Sequence, residues 1–450
     1  MKTLAAGGVA SATIPTVAGC SRSCSKSAEV VIVGGGAAGL SLAARLRRRA
    51  PKLKLTLVDP AEKQFYQPGF TLIGGGVYGA DEVWKPQKDL IPSGVKWIRK
   101  SVCKVNPSAK RIELNDGSAL QYDFLVLTPG LQLNWRGVEG ITYETLGQGN
   151  AHSIYDWRGA QKTFAAMKEF VAKGGKGVFV DTYTKLKCGG APKKICLMTE
   201  HRARREGVRD RLDLSFYTAG KDLYDVKYFT PRLKEIYRER NIPYTANMRV
   251  KGIDTVAKKV HFEKVESVER KVKNASTGAE ETVSETRITP VVKDYDFLHF
   301  APPQSAPDFV RESGLGWRTG KLAREAWVEV DKHTLIHRAW DNIVSFGDVA
   351  GIPTSKTSAA IRMQLPIAEE NLIALIEGRT PEAKYDGYAA CPIITDYGHV
   401  LLCEFDYEKK EKISFPFSML DMSKEQRAAW WLKVYALKPI YFHGMLRGWM

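Results

Sequence analysis

Two of the seven cysteines in this 450-residue chain stand where a thiol is set up to react. Cys188 lies in Lys187-Cys188-Gly189-Gly190-Ala191-Pro192-Lys193-Lys194. Pro192 suits the first position of a helix, so Cys188 falls just ahead of a helix N-terminus, where the dipole and nearby lysines favour thiolate over thiol. Cys391, in Lys384-Tyr385-Asp386-Gly387-Tyr388-Ala389-Ala390-Cys391-Pro392, precedes a proline and is biased toward extended backbone, in what reads as a glycine- and aromatic-containing loop. Taken alone it reads as a loop-buried structural thiol, and spacing does not pair it with Cys188. Cys103, Cys196 and Cys403 sit in short apolar runs and read as core packing. Seven cysteines in so long a chain cannot be a disulfide scaffold.

A second constellation handles phosphate. Gly34-Gly35-Gly36-Ala37-Ala38-Gly39 fits G-x-G-x-x-G: Gly34 makes the turn, Gly36 admits a pyrophosphate and Gly39 lets helix and strand pack closely. The pattern is weak by itself and gains weight from its setting. An apolar strand, Val30 to Val33, precedes it, a helix over Leu40–Arg49 follows, and a second strand, Leu55–Val58, leads to Asp59, whose carboxylate can accept ribose hydroxyls.

These elements open a parallel, doubly wound α/β sheet. Tyr122–Leu127 and Phe297–Phe300 read as further buried strands, with Lys176–Val180 opening a second α/β unit between them; Thr255–Thr289 reads as exposed hairpins. The start of that second unit has no glycine loop after it, which argues against a nicotinamide site. The implied division is a leader or disordered N-terminus over 1–28, a dinucleotide-binding domain over 29–150 resumed at 291–380, an inserted Rossmann-like domain over 151–290, and a cysteine loop with a docking tail over 381–450.

Bulk properties narrow the partners. Hydrophobic residues at 44% and charged residues at 26% fit a folded body. A net charge of +17 spread over scattered clusters, with no nucleic-acid module around them, favours a membrane surface over nucleic acid. The body has no run of eighteen apolar residues to span a bilayer. The uncharged stretch Leu4–Gly19, with Val17-Ala18-Gly19-Cys20 resembling a lipoprotein cleavage box, reads as an export leader, which would place the protein on the periplasmic face of a bacterial inner membrane. The tail from Ala428 interleaves Trp430, Trp431, Tyr435, Tyr441, Phe442 and Trp449 with Lys433, Lys438 and Arg447, and Pro439 divides it into two short amphipathic pieces suited to the headgroup boundary. The alternative is an arm packed on the body or on another copy of the chain in a homo-oligomer. No metal site is expected.

Tyr122-Asp123-Phe124-Leu125-Val126-Leu127-Thr128-Pro129-Gly130 and Ile343-Val344-Ser345-Phe346-Gly347-Asp348 resemble the remaining signatures of flavoproteins with two dinucleotide-binding domains. That resemblance implies FAD, with Gly130 in the second signature and Gly347 and Asp348 on the ribityl chain. Phe65-Tyr66-Gln67-Pro68-Gly69-Phe70-Thr71-Leu72, the Cys188 segment, Ile352-Pro353-Thr354-Ser355-Lys356-Thr357 and the Cys391 segment together resemble the sulfide:quinone oxidoreductases, in the branch that includes the mitochondrial enzyme, from about Glu29 to the C-terminus. The resemblance implies that hydrosulfide attacks a disulfide between Cys188 and Cys391. Cys391 would carry the persulfide, Cys188 would be the thiolate facing the flavin, and the electrons would pass to a membrane quinone. It also implies a helix beginning at Ser355, Lys356 and Thr357 against the isoalloxazine, with the Lys356 charge stabilising reduced flavin. The sulfur acceptor is not implied. Rival readings are the flavoprotein subunit of flavocytochrome c sulfide dehydrogenase and a non-catalytic flavin-binding membrane protein.

Overall fold

The computed structural model describes residues 24–273 and 280–450. Residues 1–23 of the expected leader, Cys20 included, lie outside the described residues, whereas Cys24 and Ala28 at its end are buried in the core, so the body takes in residues ahead of Glu29.

Two five-stranded, all-parallel sheets form the frame. The first runs in the order Ile343–Ser345, Phe124–Leu127, Glu29–Val33, Lys54–Val58, Val95–Ile98. The central strand is buried at Val30, Val31, Ile32 and Val33, as expected where helices cover both faces of a parallel sheet. Helix Ala37–Arg49 follows at once and buries Leu40, Leu42 and Leu46. Its arginines reach across to the long helix Ser358–Glu377, where Arg45 meets Glu369 at 2.5 Å and Arg49 meets Glu370 at 2.9 Å.

The second sheet runs Ala151–His152, Phe297–Phe300, Gly175–Val180, Leu212–Tyr217, Tyr244–Thr245. Phe297–Phe300 pairs in parallel with Gly175–Val180, so the inserted unit closes after residue 300 and not at 290. Apolarity marks that strand as buried but carries no information on which sheet buries it. A three-stranded antiparallel sheet of Met248–Asp254, Lys259–Lys273 and Glu280–Asp294 projects from this unit, and its outer ribbon is the exposed hairpin expected from the polar, valine-punctuated sequence.

Two further differences matter for the site. Cys391 lies inside a regular strand, Ala389–Asp396, which forms an antiparallel hairpin with His399–Phe405; Ala389, Ala390, Cys391, Ile393 and Ile394 are buried there, with Pro392 half-buried, and the glycine loop ends just before it. The tail is helical from Arg427 to Met445 and does not break at Pro439. Leu432–Ala436 and Ile440–Met445 are π-turns on either side of Leu437–Pro439, and such widening absorbs the hydrogen bond a proline cannot donate.

Candidate active site

The Cys188 loop replaces the glycine loop that would follow Gly175–Val180 in a nucleotide-binding unit. Asp181, at the end of that strand, accepts from the Thr218 hydroxyl (2.8 Å) and the Ala219 amide (2.9 Å) and pairs with the buried Lys193 ammonium at 3.2 Å. Lys193 also donates to Gly189 O at 3.2 Å, which ties the loop to the sheet. Helix Ala191–Arg205 then starts with Pro192 in its first turn, and Cys188 O accepts from Ala191 N at 2.8 Å, as the sequence suggested. Cys188 itself sits at φ +48°, in the left-handed region uncommon for side chains other than glycine and asparagine. Its amide donates to Lys356 O at 3.2 Å, so the strained turn is held against the segment that opens helix Ser358–Glu377.

The strand Ala389–Asp396 brings Cys391 to this turn. The two sulfurs stand 3.2 Å apart, the contact of two unbonded thiols, although 203 residues separate them in sequence. Gly190 makes the approach possible: a Cβ there would lie 2.8 Å from Cys391 Sγ and 3.0 Å from Ile393 Cγ1. Gly190→Ala is therefore expected to push the sulfurs apart and slow sulfide-dependent flavin reduction by about a hundredfold, the scale of an ångström of misplacement, with flavin content unchanged. Stopped-flow absorbance of the purified variant measures it.

Charge around the pair is asymmetric. Lys194 Nζ donates to Cys188 Sγ at 3.1 Å. In the reduced pair the hydrogen bond from Cys391, against the cost of burial and with help from Lys194 and Lys433, holds Cys188 well below the ordinary thiol range. Cys391 is pushed well up, by that same hydrogen bond and then by burial. Burial opposes the Lys194 charge, but Cys188 and Cys391 together outweigh it, so that lysine stays protonated.

Lys433 was read from the sequence as a cation for lipid headgroups. It is 2% exposed and points inward, and burial, then repulsion from Lys194, lowers its pKa to about 7. Only the register of the tail on the body puts it there, and no local signal distinguishes it from Lys438. Tyr155, whose hydroxyl lies 3.5 Å from Cys188 O, also escaped sequence reasoning.

The dinucleotide cradle fits the group that the glycines call for. Gly34 has φ +95°, and a Cβ on it would meet Thr128 O at 2.3 Å; a Cβ on Gly39 would meet Gly34 O at 1.9 Å. Around Gly36 a Cβ would meet nothing within 4 Å, which leaves the room a pyrophosphate needs. Gly130, at φ +78°, borders open space as well. Asp59 accepts from Gly35 N (2.5 Å) and Ala61 N (2.7 Å), which fixes its carboxylate and leaves lone pairs for ribose hydroxyls.

At the other end, Gly347 N donates to Gln364 Oε1 at 2.8 Å. Asp348 pairs through Oδ2 with Lys187 Nζ at 2.5 Å, while its buried Oδ1 has no partner among the described residues. An orphaned carboxylate oxygen at this point is what a ribityl hydroxyl would satisfy. Lys356 is less free than expected. Its ammonium turns back to Asp348 O (2.5 Å) and Ala350 O (3.1 Å) and lies 3.6 Å from the Trp327 ring centre. Burial then drives its pKa well down. The helix begins at Ser358, capped by Thr357 Oγ1, two or three residues later than its expected start.

Of the three cysteines read as core, Cys196 and Cys403 are buried and Cys103 is exposed. Register slips between Val102 and Lys104 at a bulge, which turns Cys103 outward from a strand whose apolar neighbours face in. Among the described residues no cluster of histidines, cysteines and carboxylates could hold a metal.

Parallel sheets, a dinucleotide cradle and two thiols in contact define a flavin-dependent disulfide oxidoreductase of the two-domain type. Residues 28–168 match the pyridine nucleotide-disulphide oxidoreductase family model. Over 93% of its length the chain is 35% identical to the mitochondrial sulfide:quinone oxidoreductase of Dictyostelium discoideum, covering 86% of that protein. The chain belongs to the sulfide:quinone oxidoreductase family, and FAD is its cofactor. Among solved structures, the Aquifex aeolicus sulfide:quinone oxidoreductase matches with a TM-score of 0.73 at 21% identity, covering 93% of this chain and 92% of that one. A chain of the Tetrahymena thermophila mitochondrial ATP synthase assembly matches with a TM-score of 0.75 at 18% identity, over 94% of this chain and 97% of that one. The same frame thus occurs in an assembly named for another activity, and chemistry has to be argued from side chains.

Proposed function

We propose that this protein oxidises sulfide at the Cys188–Cys391 pair and passes the electrons through FAD to a membrane quinone. The contact between the two sulfurs, beside a lysine that donates a hydrogen bond to Cys188, carries the reading. In the oxidised protein hydrosulfide attacks Cys391 Sγ, the Cys188–Cys391 bond breaks, and its electron pair leaves on Cys188. Lys194, the start of helix Ala191–Arg205 and Lys433 hold that negative charge, and a better leaving thiolate speeds disulfide cleavage. Cys391 retains the incoming sulfur as a persulfide, and two electrons and a proton are released when that sulfur bonds Cys188 Sγ. FAD, when bound, supplies the two-electron acceptor, with Gly34, Gly36, Gly39 and Asp59 placed to hold its pyrophosphate and ribose, Gly130 and Gly347 to border it, and Asp348 to meet the ribityl chain. Lys356, locked on two carbonyls, shapes the floor beside the cysteine loop and holds its proton poorly.

No helix among the described residues is long and apolar enough to cross a membrane. The tail supports docking on one face. Tyr441, Phe442 and Met445 are buried against the body, with Tyr441 accepting from Gln64 at 2.6 Å, whereas Trp431, Tyr435 and Trp449 are 61%, 58% and 72% exposed. Phe415, Met419 and Leu420 add exposed apolar groups just upstream. The tail's cations are committed elsewhere: Lys433 is inside, Lys438 pairs with Glu82 at 2.8 Å and Arg447 donates to Asp89 O. Attachment should therefore rest on aromatic burial and resist salt. Trp431→Ala with Tyr435→Ala is expected to cut binding to neutral phosphatidylcholine vesicles at least about a hundredfold, taking about 1.5 kcal/mol or more for each aromatic group. Flotation assays at low and high salt measure it.

The whole reading is tested by steady-state assay with a short-chain quinone. Sulfide should support turnover and NADH should not; rapid NADH-dependent reduction would refute it.

A further inference from the structure

A third sulfur belongs to the same neighbourhood. In the hairpin of Ala389–Asp396 with His399–Phe405, Cys391 is the direct register partner of Cys403. Direct partners in an antiparallel pair present their side chains on one face, with Cα atoms about 4.5–5.5 Å apart. That separation lies inside the range that a disulfide spans, about 4.4–6.8 Å. Lys194 Nζ, 3.1 Å from Cys188 Sγ, stands beside the sulfur that would leave. Cys403 is fully buried and its thiol only weakly engaged, at 3.6 Å from Leu401 O.

We propose that Cys403 is a third exchanging thiol, which attacks Cys391 in the oxidised pair and moves the disulfide from Cys188–Cys391 to Cys391–Cys403. The inference rests on the Cys188–Cys391 disulfide of the proposed function. The step balances without an external oxidant. Cys403 gives its proton to solvent, its sulfur bonds to Cys391 Sγ, the Cys188–Cys391 bond breaks, and the electron pair leaves on Cys188 beside Lys194. The same features that make Cys188 a good leaving group toward hydrosulfide make it one toward Cys403. Burial holds the Cys403 thiol protonated, so exchange is slow and matters when sulfide is scarce. The product is a parked form. Its Cys391 sulfur still accepts hydrosulfide, with Cys403 as the leaving thiolate inside the hairpin; because Cys188 is already a free thiolate, that attack restores the same persulfide state, through a poorer leaving group and so more slowly.

Disulfide mapping tests this on the holoprotein stored without sulfide. The protein is denatured in N-ethylmaleimide at mildly acidic pH, cleaved at Asp396 to separate the two hairpin cysteines, and read by mass spectrometry. A linked Cys391–Cys403 pair with alkylated Cys188 is expected in a fraction of the wild type. The same link is expected in most of the Cys188→Ser protein after oxidation with diamide, with Cys188→Ala as a second variant and flavin absorbance as the check on folding. Cys403 alkylated throughout, in wild type and variants, overturns the proposal. If a Cys188–Cys391 link accompanies that result, the sulfide-oxidising reading survives without it; if Cys391 is never linked to either cysteine, both fall.

Discussion

Cys188→Ser and Cys391→Ser are each expected to lower sulfide-dependent flavin reduction by at least about 10³-fold, because each removes one of the two sulfurs whose rejoining releases electrons to the flavin. The two variants should differ in what they retain. Cys391→Ser loses the electrophilic sulfur and should take up no sulfane sulfur. Cys188→Ser keeps Cys391 and can still be persulfidated through a bond to Cys403, yet has no thiolate beside Lys194 to deliver electrons. Cys103→Ser, on the exposed bulge, should behave as wild type. Anaerobic stopped-flow absorbance separates these cases, and near-normal turnover in either active-site variant contradicts the mechanism.

Lys194→Met should produce the next largest loss, on the order of 10²-fold, since a charge-assisted contact to a buried thiolate is removed and its desolvation is left unpaid. The sign of the pH effect follows from the direction of the shifts. Cys188 is depressed, so in the wild-type reduced enzyme its thiolate persists to lower pH than that of an ordinary thiol, and alkylation by iodoacetamide should stay fast correspondingly further down. Without Lys194 the midpoint of the alkylation profile should move upward. Lys433 adds a second, weaker feature: with a pKa of about 7 it loses its charge as pH rises through neutrality, so its support for the thiolate is present below that point and fades above it. Lys433→Met should flatten that feature and leave flavin content intact.

Much of this arrangement was legible in local sequence. The roles of Gly34, Gly36 and Gly39 follow from backbone geometry that only a short turn imposes, and the setting of Cys188 follows from one proline and two lysines. Cys391 was opaque for the opposite reason. Its apolar run is interrupted by Pro392, its strand pairs with a segment a turn later, and its contact with Cys188 joins residues 203 positions apart. Lys433 failed similarly: a lysine among aromatic residues on a helical tail suits a membrane surface, and only tertiary register turns it inward. Cys103 shows that an apolar run does not fix direction where a bulge shifts the pleat, and Lys356 that a buried ammonium can be captured by carbonyls two turns of chain away.

Anaerobic titration of the oxidised, FAD-loaded protein with sulfide tests the central claim most directly. The account predicts that the oxidised flavin band bleaches fully with about one sulfide per flavin, that Cys188 and Cys391 are recovered joined through one extra sulfur, and that added quinone restores the band. A flavin that stays oxidised in excess sulfide, or bleaches equally well in Cys391→Ser, would contradict it.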